Sequence, residues 1–303
     1  MKIYIVGSGG VGGYLGGLLA KTSTNYVTFV ARKDHFQAIK KNGLQINRVK
    51  GNFLIKPAQV ISSLREIKNP DLILFTVKTY DTQEAAKQLN EIVNDKTIII
   101  TFQNGVENDL EIKKYVKKGL VFPGVAYLIS TRIKPGVIEQ IGGVGGIGRF
   151  IIGDRNNSTN EKLDRIVKIM REAEIDAVLS KNITQDIWKK FVLISAFSGI
   201  TTLYKKRIGE IIKDNNLKTE YENCVRETIK VAKALKVDLP ENIFEITMAT
   251  TEKTNPASKS SLLVDVERGG RNEIETLNGT VIKYAKQFNI NIPINNKIYS
   301  SIK

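Results

Sequence analysis

With 303 residues, 42% of them apolar and 25% charged, the chain has material for about two packed domains and is not disordered as a whole. A single cysteine, Cys224, rules out a disulfide framework and thiolate metal clusters. A single histidine, His35, rules out multi-histidine metal sites and argues against a serine-type triad, so an acid or base here is expected to be Lys, Glu, Asp or Tyr. The net charge of +15 favours anionic ligands. Because the lysines are scattered, and no aromatic-and-basic RNA motif or zinc finger occurs, small phosphates and carboxylates are expected rather than specific nucleic acid.

Residues 2–6 (KIYIV) read as a short strand that runs straight into glycines at 7, 9, 10, 12, 13, 16 and 17. Residues 3–20 carry no charge, as a signal peptide or membrane span might, but so many glycines make a poor apolar helix and no Ala-x-Ala-like site follows. Strand, tight turn and helix is the better reading, with Val11, Leu15, Leu18 and Leu19 at helical spacing; no membrane association and a cytoplasmic location are expected. A second strand falls at 26–31. The continuous apolar runs at 71–78 and 97–102 suit parallel strands covered on both faces, and helical stretches such as 82–93 separate them. The expectation is an α/β Rossmann doubly wound sheet.

From about 119 the pattern changes to short β-like pieces at 119–131, 136–141 and 148–154 that close the sheet. The glycine-rich stretch 142–148 within them is a loop or a plain surface turn and receives no role. Beyond 180 the chain turns helical, at 184–197 and through Tyr221, Val225, Ile229, Ala232 and Leu235. We divide the chain into a Rossmann domain over 1–175 and a mainly α-helical C-terminal domain over 176–303.

Gly7-Ser8-Gly9-Gly10-Val11-Gly12 fits G-x-G-x-x-G after a strand and before a helix. Gly7 serves the tight turn, Gly9 the approach of a pyrophosphate, Gly12 the packing of helix on strand, and the helix N-terminus supplies donors and positive charge. An NAD site wants an acidic residue after the second strand. Here Ala31-Arg32-Lys33 stands there, which favours the 2′-phosphate of NADP(H) and an NADPH/NADP+ cofactor. The alternative is that Arg32 and Lys33 are solvated and Asp34 takes the ribose. His35 reads as touching the adenine end of the nucleotide, or only water.

Ligands of open α/β sheets lie past the carboxyl ends of the strands, where Lys78 and Asn104 fall. A solvated lysine and an Asn-Gly turn are the plain alternatives. In the helical half, Trp188-Lys189-Lys190-Phe191 sets two lysines in apolar surroundings, which can lower a lysine pKa, but from spacing alone an Asp186–Lys190 ion pair on the helix surface is the preferred reading. At 260–275, Gly269-Gly270 should break a helix, with Asn272 capping the next and Glu275 at its third position.

Together these residues resemble the ketopantoate reductase (2-dehydropantoate 2-reductase) family. The resemblance runs through GSGGVG, Arg32, Val77-Lys78, Gln103-Asn104-Gly105, Trp188-Lys189-Lys190, Ser261 with Asp265, Glu273-Ile274-Glu275-Thr276-Leu277-Asn278-Gly279 and the tail Ile290-Asn291-Ile292-Pro293. It implies a Rossmann domain plus a helical one and metal-free reduction of a small anionic 2-oxo acid by NADPH, yielding D-pantoate for pantothenate and coenzyme A synthesis. By position, Lys190 corresponds to the proton donor, Glu273 to the acid that binds the reacting oxygen or a neighbouring hydroxyl, and Ser261 to a substrate-carboxylate ligand. Lys78 and Asn104 correspond to residues near nicotinamide and substrate, and Arg32 to the 2′-phosphate contact; Gly7, Ser8, Gly9, Gly10, Val11 and Gly12 hold the nucleotide. A homodimer is left open.

The family often carries asparagines four and eight residues past its lysine. This chain has Ile194 and Ser198, on the helix face of Lys190, which makes the substrate wall more apolar. A D-2-hydroxyacid dehydrogenase for an apolar 2-keto acid is therefore an alternative, and a non-enzymatic NADPH-binding sensor is an alternative of another class.

Overall fold

The computed structural model describes residues 1–22, 25–143, 146–158 and 160–303. Val144 and Gly145, within the glycine-rich stretch read as a loop or turn, lie outside them. The chain divides into two compact units, Met1–Gln103 with Glu107–Ile183, and Asn104–Val106 with Thr184–Lys303.

The first unit opens with β1 (Lys2–Val6), α1 (Gly10–Lys21), β2 (Tyr26–Val30), α2 (Lys33–Asn42), β3 (Leu44–Arg48), β4 (Phe53–Ile55), β5 (Gln59–Ile61) and β6 (Leu72–Phe75). It continues with α3 (Thr82–Asn90), β7 (Ile98–Thr101), α4 (Asn108–Tyr115), β8 (Leu120–Lys134), β9 (Val137–Gly143), β10 (Arg149–Ile152), α5 (Glu161–Glu172) and β11 (Asp176–Leu179). Among the described residues these strands join one sheet in the order β4-β3-β9-β8-β7-β6-β1-β2-β5, with β10 beside β8 and β11 beside β10. β1 pairs in parallel with both β2 and β6, so the chain winds away from β1 in both directions. That makes the end of β1 a topological switch point, where ligands of such sheets bind.

The apolar runs are continuous because the parallel strands bury both faces. Ile3, Ile5, Leu72, Leu74, Ile98 and Ile100 point into one core with α1 and α5. Their neighbours Tyr4, Val6, Ile73, Phe75 and Ile99 point into the other with α3 and α4. Period-two alternation thus places apolar side chains on both sides of each strand. β8 serves three partners in succession: β7 in parallel over Leu120–Pro123, then β10 and β9 antiparallel. Asp109 of α4, almost fully buried, accepts two hydrogen bonds from the Arg155 guanidinium, at 2.7 and 2.8 Å, which ties α4 to the loop after β10.

The second unit is helical: α6 (Ile183–Tyr204), α7 (Ile208–Lys213), α8 (Asn215–Ala234), α9 (Ile243–Glu252), α10 (Ser261–Glu267), α11 (Thr280–Gln287) and α12 (Pro293–Ile302). A π-turn over Glu275–Gly279 leads into α11. Inside the unit the buried Glu227 carboxylate accepts from the backbone N–H of Ile294 and Asn295 and from the Asn295 amide, closing the N-terminus of α12 onto α8. Asn278 of the π-turn joins that network by donating to Asn295 Oδ1 at 2.9 Å. No helix among the described residues is long and apolar enough to cross a membrane.

Candidate active site

In the first unit the glycine turn follows β1 directly. Gly7 has φ +101°, and a Cβ there would lie 2.6 Å from the Val77 nitrogen, so only glycine fits. A Cβ on Gly12 would run into the Gly7 carbonyl and the Thr76 hydroxyl, which shows how closely α1 approaches the strands. Gly9 is different: a Cβ there would meet nothing within 4 Å. The turn therefore has an open side at the position where a G-x-G-x-x-G loop admits a pyrophosphate. α1 carries no acidic residue in its first turn, and the first helical bond runs from the Gly13 N–H to Gly9 O, so the N–H groups before it have no partner within the helix. These residues fit a dinucleotide.

The side chains supporting the turn were not all legible. Thr76 donates to Gly7 O at 2.7 Å, and Ser130 donates to Gly10 O at 3.0 Å. A hydroxyl near the end of the apolar run 71–78 is the signal that could have singled out Thr76. The Ser8 hydroxyl points inward, donating to Val30 O at 2.8 Å. Arg32, with an exposed side chain, stands at the N-cap position of α2 and pairs with Asp81 at 3.4 Å. Asp34, the alternative ribose ligand, accepts the His35 N–H at 2.8 Å through Oδ1.

His35 is not at a nucleotide edge facing solvent. It is buried, with Nε2 2.8 Å from Ser8 O and Nδ1 accepting the Gly136 N–H at 2.9 Å. Its buried bonding, invisible in local sequence, overturns the reading that it touches only water.

In the second unit Lys190, partly buried on α6, donates from Nζ to Asn104 Oδ1 at 2.7 Å. Asn104 follows β7 in the chain yet groups with this unit. Its neighbour Gln103 stays in the first unit, donating to Val77 O and to the Thr82 hydroxyl. Burial pushes the Lys190 ammonium down to about 8, while the negative charge of Glu273 pulls it back up. Glu273 is itself buried at the start of the π-turn. Lys190, Asn104 and Glu273 thus form one electrostatic group. Asp186, the alternative partner considered for Lys190, pairs with Lys189 at 2.8 Å.

The remaining residues are more dispersed. Ser261 is exposed at the first position of α10, whereas Ser260 is buried, caps that helix and accepts from Thr201. Ile194 is partly buried one turn past Lys190, and Ser198 is buried within α6. Lys78 precedes a short 3-10 turn over Thr79–Asp81 in the first unit. The capping expected at 272–275 is only half realised. Asn272 accepts the Ile274 N–H at 3.0 Å, but the Glu275 carboxylate takes the Tyr299 hydroxyl at 2.7 Å and Lys303 at 3.2 Å.

Comparison with known proteins assigns the chain. The model for ketopantoate reductase PanE/ApbA matches residues 3–157, and its C-terminal counterpart matches residues 182–303. The chain belongs to the ketopantoate reductase family. It is an oxidoreductase acting on a CH–OH group, in a family of pyridine-nucleotide-dependent reductases.

Among its relatives, the 2-dehydropantoate 2-reductase of Pyrococcus horikoshii is 31% identical over 303 residues, covering 100% of this chain and 97% of that one. The uncharacterized oxidoreductase YkpB of Bacillus subtilis is 28% identical over 303 residues, covering 100% and 98%. Among solved structures, a PanE/ApbA family ketopantoate reductase from Ralstonia eutropha JMP134 superposes with a TM-score of 0.90 at 26% identity, covering 100% of this chain and 97% of that chain.

Proposed function

We propose that this ketopantoate reductase family member reduces 2-dehydropantoate to D-pantoate with NADPH, in the synthesis of pantothenate and coenzyme A. The observation that carries the reading is the Lys190–Asn104 hydrogen bond in a setting that brings the lysine to about 8. An ammonium of that acidity gives up a proton near neutral pH far more readily than an ordinary lysine.

When bound, the nicotinamide supplies the hydride that adds to C2 of the oxo acid. Lys190 holds the proton that the oxygen on C2 needs as its double bond is lost. Of the three N–H groups on Nζ, one is directed at Asn104, which fixes the head group and leaves two for the substrate. Glu273 favours the charged lysine and accepts from a substrate hydroxyl. Ser261 and Lys78 offer a hydroxyl and a cation to the carboxylate and cofactor. In the first unit, Gly7 to Gly12 receive the pyrophosphate and Arg32 the 2′-phosphate; Asp34, engaged with its own helix, supports NADPH over NADH.

Ile194 favours a second reading within the same chemistry, a D-2-hydroxyacid dehydrogenase for an apolar 2-keto acid. Purified protein given NADPH with ketopantoate, 2-ketoisocaproate and 2-ketoisovalerate separates the two. Preference for ketopantoate supports the first, preference for the apolar acids the second, and no turnover of any acid contradicts both.

A further inference from the structure

The one histidine of the chain sits where three segments of the first unit meet: the glycine turn, the first turn of α2, and the bend between β8 and β9 at Gly136. Its tautomer is fixed by the geometry. The Gly136 backbone N–H can only donate, and it points at Nδ1 from 2.9 Å, so Nδ1 carries a lone pair. The ring proton is therefore on Nε2, which donates to the Ser8 carbonyl at 2.8 Å. Gly136 is held in turn: its carbonyl accepts the Gln45 N–H at 2.9 Å, and its φ of +74° sets the bend. Ser8 is pinned a second time by its hydroxyl on Val30 O.

The bond to His35 bears on the peptide between Ser8 and Gly9. In a trans peptide the C=O and the following N–H point in opposite directions. With the Ser8 carbonyl on the imidazole, the Gly9 N–H is turned away from His35. Gly9 is also the glycine of this turn whose Cβ position is open.

We propose that His35 is a positioning residue for dinucleotide binding: in its neutral Nε2–H form it holds the Ser8–Gly9 peptide of the glycine turn in the orientation that receives the pyrophosphate. This rests on the reading that residues 7–12 bind the nucleotide. An imidazolium cannot serve, because a proton on Nδ1 would oppose the Gly136 N–H and break that bond. Burial holds the His35 pKa below its ordinary value, and the charge of Arg132 from β8 acts in the same direction. The Ser8 carbonyl and Asp34 act the other way. The neutral latch is thus the form present at neutral pH and is lost as pH falls below about 6.5 and through the lowered pKa.

The test uses tag-free full-length protein and NADPH affinity read from nucleotide fluorescence. His35→Gln places an amide nitrogen near Nε2 and keeps a donor for Ser8, whereas His35→Asn places its oxygen near Nδ1 and keeps only the Gly136 acceptor. The Gln variant is expected within about threefold of wild type and the Asn variant about tenfold weaker, the scale of one buried hydrogen bond. The KM for the oxo acid at saturating NADPH should not move in either. As pH falls through the lowered His35 pKa, the wild type should lose affinity relative to the Gln variant, a ratio that cancels titration of the nucleotide's own phosphates. An Asn variant that binds as tightly as wild type, or a ratio that does not change with pH, overturns the latch. A wild type that binds neither NADPH nor NADH at any pH overturns the cofactor reading itself, a result distinct from any variant effect. Should both variants unfold, the imidazole NMR signal, unambiguous for a lone histidine, decides. An Nε2–H tautomer that shifts on saturation with NADPH supports the latch; an Nδ1–H tautomer or an unmoved signal overturns it.

Discussion

Nζ of Lys190 donates a 2.7 Å hydrogen bond to Oδ1 of Asn104, a residue 86 positions earlier in the chain. Both residues belong to the helical unit, although Asn104 lies three residues past β7 in the chain. Burial brings that lysine down to about 8 against the upward pull of the Glu273 charge.

That acidity has a sign that turnover can read. Lys190 must be protonated to donate, so the rate of reduction should be level below about pH 8 and fall as pH rises through it. Glu273→Gln removes the charge that pulls the lysine upward, so the alkaline limb should move to lower pH. The measurement is kcat against pH for both proteins; an unchanged limb in the variant contradicts the electrostatic link.

The glycine turn makes two opposite predictions. Gly9 has φ −74°, which alanine accepts, and open space at its Cβ position. Gly9→Ala should melt within about 2 °C of wild type yet bind NADPH at least about tenfold more weakly, because the methyl occupies the nucleotide's approach. Gly12→Ala forces a methyl against the Gly7 carbonyl and should lose stability as well as binding. Melting temperature and nucleotide titration on both variants check this.

On the proposed 2′-phosphate role, Arg32→Ala should reduce NADPH affinity about tenfold and leave NADH affinity nearly unchanged, since NADH lacks that phosphate. Equal losses for the two nucleotides would assign Arg32 to the scaffold through Asp81.

Glu227 has no place in the chemistry and a large one in folding. Its buried carboxylate accepts three hydrogen bonds at the start of α12. Glu227→Ala leaves those donors buried without partners and should cost about 3 kcal/mol, measured by urea unfolding. A loss below about 1 kcal/mol would contradict the network's role.

Much of this fold was legible because its signals are local. Runs such as 71–78 and 97–102 hold unbroken apolar stretches, Leu72–Phe75 and Ile98–Ile100, since the parallel strands they mark are covered on both faces. The glycine turn announces itself by spacing alone. β3 and β4 were missed: LQINR and FLI are short and partly polar, and β3 takes its place by pairing with β9, about ninety residues away. β5 (QVI) fails for the same reason beside β2.

The candidate site divides along the same line. Lys190 could be found as a lysine among apolar residues, but spacing could not decide between three and four residues for the reach of Asp186, which pairs with Lys189. Glu275 looked like a capping residue until Tyr299 and Lys303 were brought to it by the fold. The protein contacts of His35 were not legible because its partners, Ser8 and Gly136, lie 27 and 101 residues away.

The central claim is that Lys190 supplies the proton in NADPH-dependent reduction of a 2-oxo acid. The most direct test is steady-state kcat with ketopantoate for wild type, Lys190→Ala and Lys190→Arg, with NADPH Kd measured on the same proteins. We predict a loss of about 10²–10⁴-fold in kcat for both variants with NADPH Kd changed less than about threefold, arginine failing because its guanidinium does not release a proton near neutral pH. A Lys190→Ala enzyme that retains more than about a tenth of wild-type kcat would contradict the account.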